Sequence, residues 1–158
     1  MEDAFRRAMA DTATSHPIVL VATDSEWTGR SLESVLDLNG YTAVRCSGGR
    51  RALQLARRNG PDAVILDESL AEMGGLDVCR ALRDDPSFNP ATPIVITADS
   101  PVANARSMAA YAAGAWEYCT HPIDMQALLL KLGTFLRGKQ NAEGLQSTGL
   151  NEVRSAQL

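Results

Sequence analysis

Five short apolar runs punctuate the chain, and the stretches between them carry apolar residues every three or four positions. The runs span residues 17–22, 41–46, 62–66, 93–97 and 115–119, the length of buried strands. The amphipathic stretches span 25–38, 49–59, 75–84, 102–112 and 124–137. In the first two, Leu32, Val35 and Leu36, and then Leu53, Leu55 and Ala56, form stripes suited to packing on a sheet. Alternation of this kind predicts an α/β domain: a parallel sheet with right-handed crossovers and helices on both faces. The boundaries agree. Gly40, Gly60 and Gly114 stand where left-handed helix caps are needed, Ser100-Pro101 reads as an N-cap with Pro in the first turn, and Asp124 caps the last helix.

One run delivers chemistry. Ala63-Val64-Ile65-Leu66 ends at Asp67, followed by Glu68-Ser69-Leu70-Ala71-Glu72-Met73-Gly74-Gly75-Leu76. A buried strand that hands a carboxylate to a glycine-containing loop places it at the carboxyl edge of the sheet, where open α/β folds build their sites. The first strand brings Asp24 to the same edge and the fourth brings Thr97. Asp24 also stands where an N-cap of the first helix would. Two carboxylates and a hydroxyl converging there suggest a small pocket for a metal ion and a phosphate.

Composition bounds the rest. The 158 residues suit one domain, residues 16–138, between a leader (1–15) with a helical turn around Phe5, Ala8 and Met9 and a Gly-, Gln- and Ser-rich tail (139–158). A formal net charge of -4 without any basic block argues against direct nucleic-acid binding. No apolar run is long enough to span a membrane, and the amino terminus lacks a signal-peptide core. Cys46, Cys79 and Cys119 have no metal-ligand spacing and fit reduced, buried thiols, so a cytoplasmic location is expected. Ser25-Glu26-Trp27-Thr28 is no glycine-rich phosphate loop, and no second Asp follows two residues after the one at the end of the first strand. The residues therefore point away from a phosphatase or flavin enzyme, and no enzymatic turnover is expected.

From about residue 17 to 137 the chain resembles the receiver domain of two-component response regulators. The likeness rests on ordered matches: Thr23-Asp24 at the acidic pair, Asp67 at the phosphoacceptor, Thr97-Ala98 after the fourth strand and His121-Pro122 at a Lys-Pro pair. Asn39-Gly40-Tyr41, Met73-Gly74-Gly75-Leu76, Arg83-Asp84-Asp85-Pro86, Ala113-Gly114-Ala115 and Tyr118 support it. The resemblance implies a flavodoxin-like fold with strand order 2-1-3-4-5. It implies Asp67 as the acceptor, Mg²⁺ held by Asp24, Asp67 and the Ser69 backbone carbonyl, Thr97 donating to the phosphoryl group, and Tyr118 as an aromatic switch. A sensor histidine kinase or phosphotransfer protein would supply the phosphoryl group, and an output domain, an effector or a second copy of the chain would read it.

Two positions depart from the family pattern. Thr23 removes a negative charge from the metal site, so weakened but not abolished Mg²⁺ binding is expected. His121 replaces a permanent ammonium with an imidazole, which donates a hydrogen bond without a fixed charge. Two readings stay open: a phosphoaccepting receiver, or a degenerate one serving as a docking or dimerisation module, for example at the amino end of a larger signalling protein such as a diguanylate cyclase. The readout surface is expected on the fourth helix, fifth strand and fifth helix, where Ala103, Ala105, Ala109, Ala110, Ala112 and Ala113 would admit a partner helix.

Overall fold

The computed structural model describes residues 16–99 and 103–136, with the side chains of 103–105 excepted. The expected leader and tail, the Ser100-Pro101 cap, and the side chains of Ala103 and Ala105 lie outside these residues. Five strands, β1 (Ile18–Ala22), β2 (Thr42–Cys46), β3 (Ala63–Asp67), β4 (Ile94–Ala98) and β5 (Glu117–Thr120), form one parallel sheet in the order β2-β1-β3-β4-β5. Between them run α1 (Glu26–Leu38), α2 (Gly49–Asn59), α3 (Gly75–Asp84) and α4 (Ala103–Ala112).

Burial is greatest at the centre of the sheet and falls toward its edge strands β2 and β5. Every residue of β3 and β4 is buried, so their runs read as continuously apolar, as parallel strands covered on both faces must. On one face Leu20, Ala22, Val44, Val64, Leu66 and Ile96 form a core with Leu55 and Ala56 of α2, Val78, Cys79 and Leu82 of α3, and Ala110 of α4. Helix α1 packs on β1 and β2 and buries Leu32 and Leu36, which stand outside that cluster, so the sheet is wound on both faces. Burying one such leucine contributes about 2 kcal/mol, which is why the apolar stripes outweigh local propensity.

Residues from Gln126 form a second compact unit. Its described part belongs to α5 (125–136), with Leu128, Leu132 and Leu136 buried at a spacing of four and Leu130 exposed.

Helix ends match the glycine signals: Gly40, Gly60 and Gly114 have φ of 86°, 51° and 102°. The N-cap of α1 is Ser25, whose side chain accepts from the Thr28 N–H; Asp24 does not cap this helix. Strand β5 starts two residues later than its apolar run suggests. The Ala115 N–H still turns back to the Ala110 carbonyl (3.0 Å), the Trp116 N–H makes the first bond to β4 at the Ile94 carbonyl (2.8 Å), and paired register begins at Glu117, opposite Val95.

Candidate functional site

Asp67 is the last residue of β3 and pairs in register with Thr97 of β4. Asp67 is 7% exposed and Thr97 1%, so the acceptor candidate and the hydroxyl are neighbours at a nearly closed sheet edge. Both carboxylate oxygens of Asp67 are held. Oδ1 accepts from the Ser69 N–H and Oδ2 accepts from the Thr23 hydroxyl, each at 3.2 Å. Thr23 is itself fixed, accepting from the Ser25 N–H at 3.1 Å.

The loop after β3 is shaped to hold this geometry. The Glu68 N–H donates to the Thr97 carbonyl at 2.7 Å, tying the start of the loop to β4. The Gly75 N–H returns to the Glu68 carbonyl at 3.1 Å, and a Cβ on Gly75 would overlap the Asp67 carbonyl oxygen. Only glycine lets α3 start so close to the acceptor's backbone.

Asp24 is exposed at the same edge, yet its carboxylate is engaged elsewhere. Oδ1 accepts from the Gly48 N–H at 2.8 Å and Oδ2 from the Ala71 N–H at 2.7 Å. These amides belong to the β2–α2 and β3–α3 loops, so one side chain bridges both. A polar cavity of about 260 Å³ lies beside it, lined by residues 23–26, Gly29 and residues 45–47. Its cation, Arg45, is matched by Glu33 at 3.1 Å and Glu26 at 3.5 Å. The Glu26 carboxyl is held below its ordinary range by its hydrogen bond to Arg30, with Arg45 adding to the effect.

His121 follows β5 in a cis peptide bond to Pro122, and its N–H donates to the Ala98 carbonyl at 2.8 Å. Its imidazole Nε2 lies 3.7 Å from Asp99 Oδ1, so the group at the lysine position faces a carboxylate on the β4–α4 connection. Tyr118 packs on the core with its hydroxyl buried and without a hydrogen-bond partner. Burial, and then the nearby Glu68 charge, push its phenol above the ordinary value. Glu68 is paired with Arg106 of α4 at 3.6 Å.

The structure thus brings Asp67, Ser69 and Thr97 together, sets His121 against Asp99, and holds Asp24 on two loop amides. Sequence reasoning missed three contacts: the Thr23 hydrogen bond to Asp67, the Asp99 partner of His121, and the amides on Asp24. The last left a trace. Gly48-Gly49 opens α2 with no residue able to cap it, which calls for an acceptor from elsewhere.

Comparison with known proteins bears on the fold and the family. A family model for the response regulator receiver domain matches residues 19–133. The response regulator MprA of Mycobacterium sp. (strain KMS) is 35% identical over 132 residues, covering 84% of this chain and 56% of that protein, so the chain spans about half of that relative's length. Chemotaxis response regulator CheY4 of Vibrio cholerae superposes with a TM-score of 0.69 at 24% identity, over 76% of this chain and 98% of that one. The receiver domain of sensor histidine kinase PA1611 from Pseudomonas aeruginosa, which holds a magnesium ion in its active-site cleft, has a TM-score of 0.68 at 21% identity, over 76% and 97%. By its fold, the order of its motifs and these likenesses, the chain belongs to the response regulator receiver domain family.

Proposed function

We propose that Asp67 accepts a phosphoryl group from a sensor histidine kinase or a phosphotransfer protein. One observation carries this reading: a nearly buried carboxylate at a strand end, each oxygen held by a hydrogen-bond donor, in register with a buried Thr97. A fixed carboxylate meets the alignment requirement of in-line transfer. An Asp67 oxygen attacks phosphorus and an O–P bond forms. The bond from phosphorus to the donor's imidazole nitrogen breaks, its electron pair leaves with that nitrogen, and a proton completes the imidazole. The product is an acyl phosphate on Asp67, and the chain is an acceptor rather than a turnover catalyst.

Asp24, Asp67 and the Ser69 carbonyl are all oxygen donors, a set suited to a hard divalent cation, which needs only one or two carboxylates besides water and phosphate oxygens. Bound Mg²⁺ would neutralise charge on the transferring group. Among the described residues no cluster of three acidic, His or Cys side chains stands ready for a metal, and Thr23 supplies a hydroxyl where a further charge would help, so binding is weak.

Thr97 donates to the phosphoryl oxygens, and the inward Tyr118 moves with it as the signal passes toward α4 and β5. The reader is an output domain, an effector or a second copy of the chain. Among the described residues no helix is long and apolar enough to cross a membrane, and a cytoplasmic site of action fits the reduced cysteines.

Intact mass after incubation with acetyl phosphate and Mg²⁺ tests the proposal. The wild type should gain one phosphoryl group and Asp67→Asn none. Modification that persists in Asp67→Asn refutes the assignment, and no modification of either protein favours a docking module.

A further inference from the structure

The bridge made by Asp24 has a consequence for the metal. We propose that Asp24 is a positioning residue with two exclusive roles: without metal it holds the loop after the acceptor strand closed, and a divalent cation recruits it only by releasing that loop. The inference rests on reading this edge as a phosphoacceptor site.

The Asp24 carboxylate is the shared acceptor of two loops. The Gly48 N–H reaches Oδ1 at 2.8 Å and the Ala71 N–H reaches Oδ2 at 2.7 Å, so each oxygen already accepts one loop amide. Helix α2 explains the first bond. Its N-cap, Gly48, has no side chain to cap with, and its first turn has no acidic residue. The positive end of that helix is therefore met by Asp24 from the loop after β1. The second bond reaches the loop that follows Asp67. The Ala71 carbonyl accepts from the Gly49 N–H at 3.0 Å and from the Met73 N–H at 2.8 Å, so Ala71 links the two loops. Glu72, with φ of 68°, adds an ion pair to Arg50 at 3.9 Å.

A magnesium ion demands near-ideal octahedral geometry at about 2.0–2.1 Å. Each Asp24 carboxylate oxygen keeps a second lone pair, but two separate loops fix the direction in which it points, so turning the carboxylate to meet that demand draws it away from at least one amide. The Ala71 amide is the one whose release frees the acceptor loop. Metal binding and opening of residues 70–73 then become one event.

Titration of the ¹⁵N-labelled full chain with MgCl₂, against KCl at matched ionic strength, tests this. Hydrogen exchange at the Ala71 amide should accelerate as Mg²⁺ binds, with the same midpoint as the binding curve. Ala71→Pro removes the donor and keeps the loop length, and it should bind Mg²⁺ about fivefold more tightly, the factor for one ordinary hydrogen bond. A merely structural role for Asp24 predicts no gain in affinity. An Ala71 amide that stays protected at saturating Mg²⁺, unchanged or weaker affinity in Ala71→Pro, or no response to Mg²⁺ in either protein overturns the proposal. Should Ala71→Pro not fold, Asp24→Ala carries the test: exchange at Gly48 and Ala71 should be fast without metal and indifferent to it, and slow exchange there refutes the bridge. None of these readouts requires phosphoryl transfer, so loss of acceptance with an intact exchange response strikes the acceptor reading alone.

Discussion

Thr23 donates its hydroxyl hydrogen to Asp67 Oδ2 at 3.2 Å, and both residues are buried. A threonine in place of a carboxylate thus removes a charge and adds a donor. Two carboxylates side by side would repel each other in the absence of a cation, whereas a hydroxyl holds Asp67 directly. Thr23→Val should destabilise the fold by about 1–2 kcal/mol, since a buried charged acceptor loses its partner, and Thr23→Ser should recover most of that. Thr23→Asp should lower stability without metal and gain more from Mg²⁺ than the wild type does. Urea melts with and without MgCl₂ measure each case, and equal metal responses in the two proteins would remove Thr23 from the site.

His121 faces Asp99 at 3.7 Å, so its ring is oriented by a carboxylate already present before any phosphoryl group arrives. His121→Lys supplies a permanent cation on a longer, more flexible stem. The initial rate of modification by acetyl phosphate should rise about tenfold or more, the effect of one charge-assisted hydrogen bond, about 1.5–3 kcal/mol, made to the transferring group. Asp99→Asn frees the imidazole and should change that rate in the wild type but not in His121→Lys. Equal changes in both backgrounds would show that Asp99 acts apart from His121.

The fold was legible because its signals are local and repeated. Continuous runs such as Ala63-Val64-Ile65-Leu66 can be buried only between two layers, and Gly60 and Gly114 mark their turns by the backbone angles they adopt. The site was legible as a set of strand ends: Asp67 and Thr97 sit opposite each other because β3 and β4 are parallel neighbours. Side-chain partnerships were not legible. The Asp24 bridge joins it to Gly48 and Ala71, 24 and 47 positions away, and depends on loop geometry that no periodicity encodes. The same holds for His121 and Asp99, which meet only because β4 and β5 end side by side.

Arg83 ties the far side of the sheet together. Its Nε donates to the Gly114 carbonyl at 2.9 Å, Nη1 to the Pro90 carbonyl at 3.1 Å and Nη2 to the Thr92 carbonyl at 2.9 Å. Arg83→Ala should lower stability by about 3 kcal/mol, from three charge-assisted bonds to partly solvated carbonyls. Gly114→Ala should cost at least as much, because its φ of 102° disfavours any side chain and the new Cβ would sit 2.5 Å from Arg83 Cγ. Combining the two should cost less than the sum, since removing the Arg83 side chain clears that space. Denaturant midpoints of the two single variants and the double variant decide, and strict additivity would show that the pair does not interact.

Cys46 ends β2 and is buried, and burial pushes its thiol from 9.0 up to about 11, with the Asp24 charge adding to the rise and Arg51 opposing it. The sign follows from which state keeps the proton. The folded chain holds the thiol proton more tightly than the unfolded chain does. Its contribution is therefore complete below pH 9.0 and is lost as pH rises toward about 11, on the order of 3 kcal/mol in all. The Cys79 thiol is also raised by burial and adds to the same loss. Stability measured by urea at several pH values should fall through this window. The fall should be shallower in Cys46→Ala, whatever that variant's absolute stability, because the alanine has no proton to lose. Iodoacetamide should leave Cys46 unmodified in the native chain near pH 8 and label it on unfolding, since the thiolate is the nucleophile and neither charge nor access is available in the fold. Rapid native labelling of Cys46, or identical pH slopes in the two proteins, would show that this thiol is less enclosed than its place at the end of β2 requires.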